Sequence, residues 1–231
     1  TPAGGYGMNT GVGDALALSW VLAAIIKGWG TSKLLAAYET ERRPVAIQNR
    51  EASGAHVLVR LKIAMAMRDA MYADSPRGEQ IRKKIGDRIL ELTNLENEAI
   101  GIEAGYRYHD SPVICYDGED APPSFEPDKL KPSTYPGLRI PAIWLKDGRA
   151  IHDLLSNGFT LIRFDDTDVT TFEKAAMDCG MPLSVLDIRD NNAAKIYEKK
   201  LILVRSDQHV CWRGDAMPSD AKIIIDKVRG A

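Results

Sequence analysis

The stretch in which residue types and spacing suggest chemistry is Pro2-Ala3-Gly4-Gly5-Tyr6-Gly7-Met8-Asn9-Thr10-Gly11-Val12-Gly13-Asp14. Glycine has no Cβ, so main-chain amides there can approach a ligand closely. A helix N-terminus adds unpaired N–H groups and a partial positive charge. A glycine loop running into the apolar helix that follows is therefore a cradle for an anion. The same glycines also suit a flexible terminus or a plain turn, and spacing alone leaves both readings open. No strand precedes them, so they are not a dinucleotide-binding fingerprint. Without an initiator Met, the opening reads either as a flexible start or as the interior of something larger.

Other chemistry-bearing residues are sparse. His56, His109, His152 and His209 have no partner at metal-ligand spacing and read as surface or packed side chains. Asp14 sits where a carboxylate could touch a ligand or simply complement the helix dipole. No side chain reads as a general acid or base. Cys115, Cys179 and Cys211 are an odd number without a CxxC, which points to reduced thiols in a cytosolic protein. A net charge of −2 offers no basic field for nucleic acid or an anionic membrane. The longest apolar run, residues 15–26, is shorter than the roughly 18 residues a bilayer requires, so it is expected to be a buried core helix. No basic segment precedes it as in a secretory signal.

The elements that must position the glycine stretch follow from pattern. With 231 residues and 45% hydrophobic side chains, the chain can bury a core in one large or two ordinary domains. Residues 11–93 read almost entirely as helix. Gly28-Trp29-Gly30 ends the first helix, and Thr31 or Ser32 caps the second. Pro44 should kink that second helix. Ser75-Pro76 should start a third, whose RKKIGDR run is solvated. Trp20, Trp29, Met65, Met67 and Met71 are expected in core or interface packing. Seven prolines between Pro112 and Pro141 deny regular structure to a connector that carries short extended pieces such as SPVICY. Beyond it, GFTLIRF, VTTFEKAAMDCG, PLSVLDI, NNAAKIYEK, KLILVRS, HVCWRG and SDAKIIIDKVRG alternate as strand, helix, strand, link, hairpin and helix, the order of a thioredoxin-like fold.

The opening string, continued through Leu18 and Trp20, resembles the second FAD-binding motif of the FAD-dependent aromatic hydroxylases, the single-component flavoprotein monooxygenases of the phenol hydroxylase type. YETERRPVA, GYRYHDSPVI, LRIPAIWLKDGRAIHDLLSNGFTLIRF and LILVRSDQHVCWRG extend the resemblance over essentially all of the chain. It corresponds to the C-terminal third or more of a family member. Two departures stand out. The family's Gly-Asp pair would lie upstream of Thr1, and DALALSW has leucine or alanine where Asn often precedes the Leu.

The resemblance implies an α/β fold: an N-terminal helical segment ending the FAD-binding domain (1–93), a Pro-rich connector (94–139) and a thioredoxin-like domain (140–231). It implies FAD as cofactor, with NAD(P)H, O2 and a small aromatic substrate, in the hydroxylation of a phenolic ring. A homodimer, a cytoplasmic location and no role for nucleic acid or membrane go with it. Pro2, Gly4, Gly5, Gly7, Met8, Asn9 and Thr10 would contact the cofactor, the last four along the flavin's pyrimidine edge, with the Pro2 carbonyl near the phenolic oxygen. The thioredoxin-like domain would be structural, since Asp165-Asp166-Thr167 holds no cysteine. The family's dinucleotide fold, substrate sheet and NADPH-contacting segment would precede residue 1, and without them the stretch is expected to be inactive. The alternative is a non-catalytic assembly or partner-binding module without flavin.

Overall fold

The computed structural model describes residues 2–92, 94–116, 118 and 121–231. A short 3-10 turn, Ala3–Gly5, leads into α1, Tyr6–Ile26. The helix thus starts well before Ala15, and Gly7 through Thr10 lie in its first turns rather than in a loop. Glycine disfavours helix by about 1 kcal/mol per residue relative to alanine, but α2 holds this segment from outside. Asn49 Nδ2 donates to Thr10 Oγ1 (2.8 Å) and Arg42 Nη2 donates to the Thr10 carbonyl (3.4 Å).

α2, Lys33–Ala66, turns back along α1. Its first turn is capped by Thr31, whose Oγ1 accepts from the Lys33 amide (3.2 Å), while the Ser32 side chain caps nothing. Pro44 does not break α2, which runs uninterrupted through it. The carbonyl left without a donor belongs to exposed Thr40, where water can serve it. Met65 and Met67 are exposed, not core. α3, Pro76–Leu92, begins as expected, with Ser75 Oγ accepting from the Gly78 amide (3.2 Å). Among its described residues the connector holds one short helix, α4, Ile100–Ala104. Residues 111–116 form a turn rather than an extended piece, because Tyr116 Oη folds back to accept from the Ser111 amide (2.8 Å).

The rest of the chain forms one sheet with its helices, in the order read from sequence: β1 Phe159–Arg163, α5 Thr170–Asp178, β2 Leu183–Asp187, α6 Asn191–Tyr197, β3 Leu201–Val204, β4 Val210–Gly214, α7 Ala221–Val228. The strand order is β2-β1-β3-β4, with β1 and β2 parallel and the other pairs antiparallel. Successive side chains point to opposite faces of a strand. Phe159, Leu161, Leu201 and Leu203 face one core, and Ile162, Ile202 and Val204 face a second. The first core is shared with the N-terminal helices: Trp20, Val21, Ala24, Leu34, Ala37 and Val45 pack in it beside α5 and α7. Trp20 and Trp29 stack at 6.5 Å, and Phe159 meets each edge-on at 6.0 Å.

α1 packs by one face only. Ala17, Trp20, Val21 and Ala24 are buried, whereas Met8, Val12, Leu16 and Ile26 are exposed. Residues Ala3–Ile26 are long and apolar enough to cross a membrane by length and composition. The twelve-residue expectation therefore understates the helix, and its core packing covers part of it rather than the whole.

Candidate functional site

The glycine segment is held by anchors on its inner side. Gly4 and Gly5 both adopt left-handed backbone (φ 76° and 67°), which glycine enters without steric penalty. A Cβ on Gly4 would lie 2.4 Å from the Tyr6 ring. The Gly4 amide donates to Glu96 Oε1 (3.1 Å), and Arg60 pairs with the same carboxylate, lowering its pKa below the usual carboxylate range. Ser53 Oγ donates to the Ala3 carbonyl (2.9 Å). Tyr6 is buried, hydrogen-bonded through its hydroxyl to His56 Nε2 (3.0 Å) and stacked on that ring. Burial, with Glu103 and Glu96 nearby, raises the Tyr6 pKa.

The outer side is open. Pro2, Gly5, Gly7, Met8 and Asn9 are exposed, and Gly4 and Thr10 are half-buried. Seven residues singled out by sequence thus lie in one continuous surface strip, made of a tight turn and the first turn and a half of α1. α1 carries no side-chain cap, and its N-cap is Gly5. Amides in the first turn of a helix lack an intrahelical acceptor, so this end presents free donors and the positive end of the helix dipole. A Cβ on Gly7 would meet no protein atom within 4 Å. The Pro2 carbonyl accepts from the Gly5 amide (3.1 Å), which closes the turn and leaves one lone pair. Asn9 Nδ2 donates back to the Gly5 carbonyl (3.1 Å), so its side chain buttresses the turn. A cleft of about 250 Å³ opens beside the strip, between Gly4, Thr10, Arg42 and Asn49.

Two segments of the chain match known families. Residues 1–53 match the family described as FAD binding domain, and residues 133–229 match the aromatic-ring hydroxylase C-terminal family. Its two matched segments thus belong to these two families, and the relatives that it resembles are FAD-dependent aromatic monooxygenases. An FAD-dependent monooxygenase of Penicillium oxalicum is 34% identical over 99% of this chain and 45% of its own length. Phenol 2-monooxygenase of a Pseudomonas species is 30% identical over 97% of the chain and 42% of that protein. The rebeccamycin biosynthetic enzyme RebC, solved with reduced flavin, superposes with a TM-score of 0.87 at 38% identity, covering 100% of this chain and 43% of RebC. The chain thus spans less than half the length of the relatives it matches.

Several residues of the site were not singled out from sequence. Arg42 Nε pairs with Asp14 (2.8 Å), so Asp14 is committed to an ion pair rather than free for a ligand. Arg42 Nη1 also donates to the hydroxyls of Tyr106 (3.2 Å) and Tyr108 (3.3 Å). Its neighbour Glu41 is equally buried and takes both guanidinium ends of Arg205 (2.7 and 2.8 Å). The available signal is a charge on an apolar stripe: Leu34, Ala37, Glu41 and Val45 share one helix face at spacings of three and four. His209 is buried and stacked on Tyr108 at 4.2 Å, and among the described residues no cluster of ligands could hold a metal.

Proposed function

We propose that residues 2–10 contact FAD, with Gly7 to Thr10 along its pyrimidine edge, in a monooxygenase that hydroxylates a phenolic ring, using O2 and NAD(P)H. The uncapped, exposed N-terminus of α1 behind the left-handed Gly4-Gly5 turn carries this reading. It offers main-chain donors and a positive dipole end where a reduced flavin concentrates negative charge. When bound, FAD supplies the redox chemistry that activates O2. The chain's own part is positional: Gly5 and Gly7 admit a planar ring, Met8 and Asn9 flank it, and Tyr6, Ser53 and Glu96 keep the turn from moving.

Residues 1–93 would complete a flavin domain whose remainder the relatives carry N-terminal to the matched part, with 94–139 as connector. We read residues 140–231 as thioredoxin-like in topology and structural in role. Burial pushes the Cys115 and Cys211 thiols up, which keeps them protonated and poor nucleophiles. The reduced thiols fit a cytoplasmic protein.

The test is FAD dissociation in the full-length protein carrying Gly7→Val. Gly7 lies in regular helix with open space at its Cβ, so the fold tolerates Val while the side chain intrudes on the ring. FAD is expected to be lost with an unchanged circular dichroism spectrum. Normal flavin affinity in this variant sinks the reading.

A further inference from the structure

One turn of α2 carries two buried charges with opposite destinations. Glu41 reaches the C-terminal sheet, where Arg205 follows β3 and is fully enclosed. Ser111 Oγ donates to the same carboxylate. Arg42, the next residue, reaches the N-terminal strip through Asp14 and the Thr10 carbonyl. Gly13 makes this approach feasible, since a Cβ there would lie 2.9 Å from Arg42 Nη2. Tyr108 closes the circuit. Its hydroxyl accepts from Arg42, its ring lies 5.3 Å from the Arg205 guanidinium carbon, and the His209 ring stacks on it. Arg205 is further pinned by Asp207 (Nε to Oδ1, 3.1 Å) and lies over Trp20 of α1 at 5.0 Å.

Such groups depend on one another for position. A buried guanidinium that loses one carboxylate faces a large desolvation cost, so the network holds as a set or rearranges as a set. Neither Arg205 nor Glu41 bonds to residues 2–10, yet both bound the lattice that fixes Thr10.

We propose that the Glu41–Arg42 pair couples the C-terminal sheet to the flavin strip, with Arg205 a positioning residue for FAD that acts through Glu41, Tyr108 and Arg42. This rests on the flavin reading of residues 2–10. It gives the C-terminal domain a task beyond bulk: its docking sets the height and tilt of the first turns of α1. Coupling of this kind is reciprocal, so FAD must tighten the β3–β4 turn by as much as that turn tightens FAD.

The experiment uses the full-length flavoprotein and two readouts. The first is FAD affinity in Arg205→Lys, which keeps the charge but loses the two-pronged grip on Glu41. Affinity is expected to fall about tenfold, within the usual range for coupled sites. Ile202→Val, in the second core of the same sheet, is the control: at a comparable loss of thermal stability it should hold FAD as the wild type does. The second readout needs no variant. FAD binding should slow amide exchange in a peptide covering residues 201–211 but not in one covering edge strand β2. If Arg205→Lys fails to fold, the exchange measurement decides alone. FAD affinity within twofold of wild type in folded Arg205→Lys overturns the proposal. So does equal weakening in Ile202→Val, or exchange at 201–211 that ignores FAD. Retention of FAD by Gly7→Val, by contrast, removes the flavin reading itself. Loss there with no effect at Arg205 removes only the coupling.

Discussion

Tyr6 shows how much one side chain in the glycine strip carries. The glycines around it leave no side chains of their own to pack, so the turn's attachment to the protein falls largely on this ring and on Ser53 and Glu96. Tyr6→Phe removes a buried hydroxyl and leaves His56 Nε2 without that partner. We expect a loss of about 1–3 kcal/mol, read as a lower thermal midpoint, with FAD affinity reduced less than in Gly7→Val. An unchanged midpoint would mean that the hydroxyl is solvated in the working protein. Asn9→Ala should be milder still, because the exposed amide only buttresses the Gly5 carbonyl.

Between elements, the buried charges dominate. Burial alone would raise the Asp207 carboxyl, but Arg205 and His209 outweigh it and hold its pKa well below the usual carboxylate range. A folded pKa below the unfolded value of about 3.9 stabilises the fold above that pH and loses the benefit as pH falls below it. Arg205 and His209 face this group directly, and Glu41 shares Arg205. Thermal midpoints from pH 6 to pH 3 should therefore drop more steeply for wild type than for Asp207→Asn, which starts lower by about 3–5 kcal/mol. Parallel curves would contradict the pairing. The thiols belong to this scale as well. On the proposed monooxygenase reading, replacing Cys115, Cys179 and Cys211 together by Ala should leave hydroxylation by the full-length protein intact, apart from a stability loss where Cys211 leaves a hole. Lost activity in a stable triple variant would reveal a thiol role.

Residue pattern conveys some of these elements and not others. β1 and β3 were legible as short, nearly continuous apolar runs bounded by turn residues, buried on both faces, and α7 because helical spacing buries one face. The strip at residues 2–10 was legible through its glycines. The helical state of Gly7 to Thr10 was not, since it depends on Asn49 and Arg42 reaching across from α2. Arg205 continues the inward phase of Leu201 and Leu203, and Glu41 continues that of Leu34 and Ala37. Each alone looks like an interrupted stripe. Only their distance apart in the chain, 164 residues, kept the pair from view.

For the whole molecule, α1 is the element that joins and the element left bare. Its inner face enters the shared core, while Met8 and Ile26 are 77% and 83% exposed. A contiguous apolar surface of this kind calls for cover. Residues 1–231 prepared alone should bind a hydrophobic dye and self-associate, whereas the full-length protein should do neither. A dye-silent, monodisperse preparation of 1–231 would refute this. The corner between α1 and α2 adds something about time. The Thr31 amide donates to the Arg229 carbonyl (3.3 Å), Arg229 Nη1 donates to the Trp29 carbonyl (3.2 Å), and Leu34 packs on Gly230. These partners are about two hundred residues apart in the chain. At synthesis rates of roughly 5–20 residues per second, the corner waits on the order of 10–40 s for its closing residues. A nascent chain therefore carries the glycine strip and the tryptophan pair out of the ribosome long before their lid exists. Chaperone occupancy on ribosome-bound chains should peak in that interval and fall once residues 229 and 230 emerge.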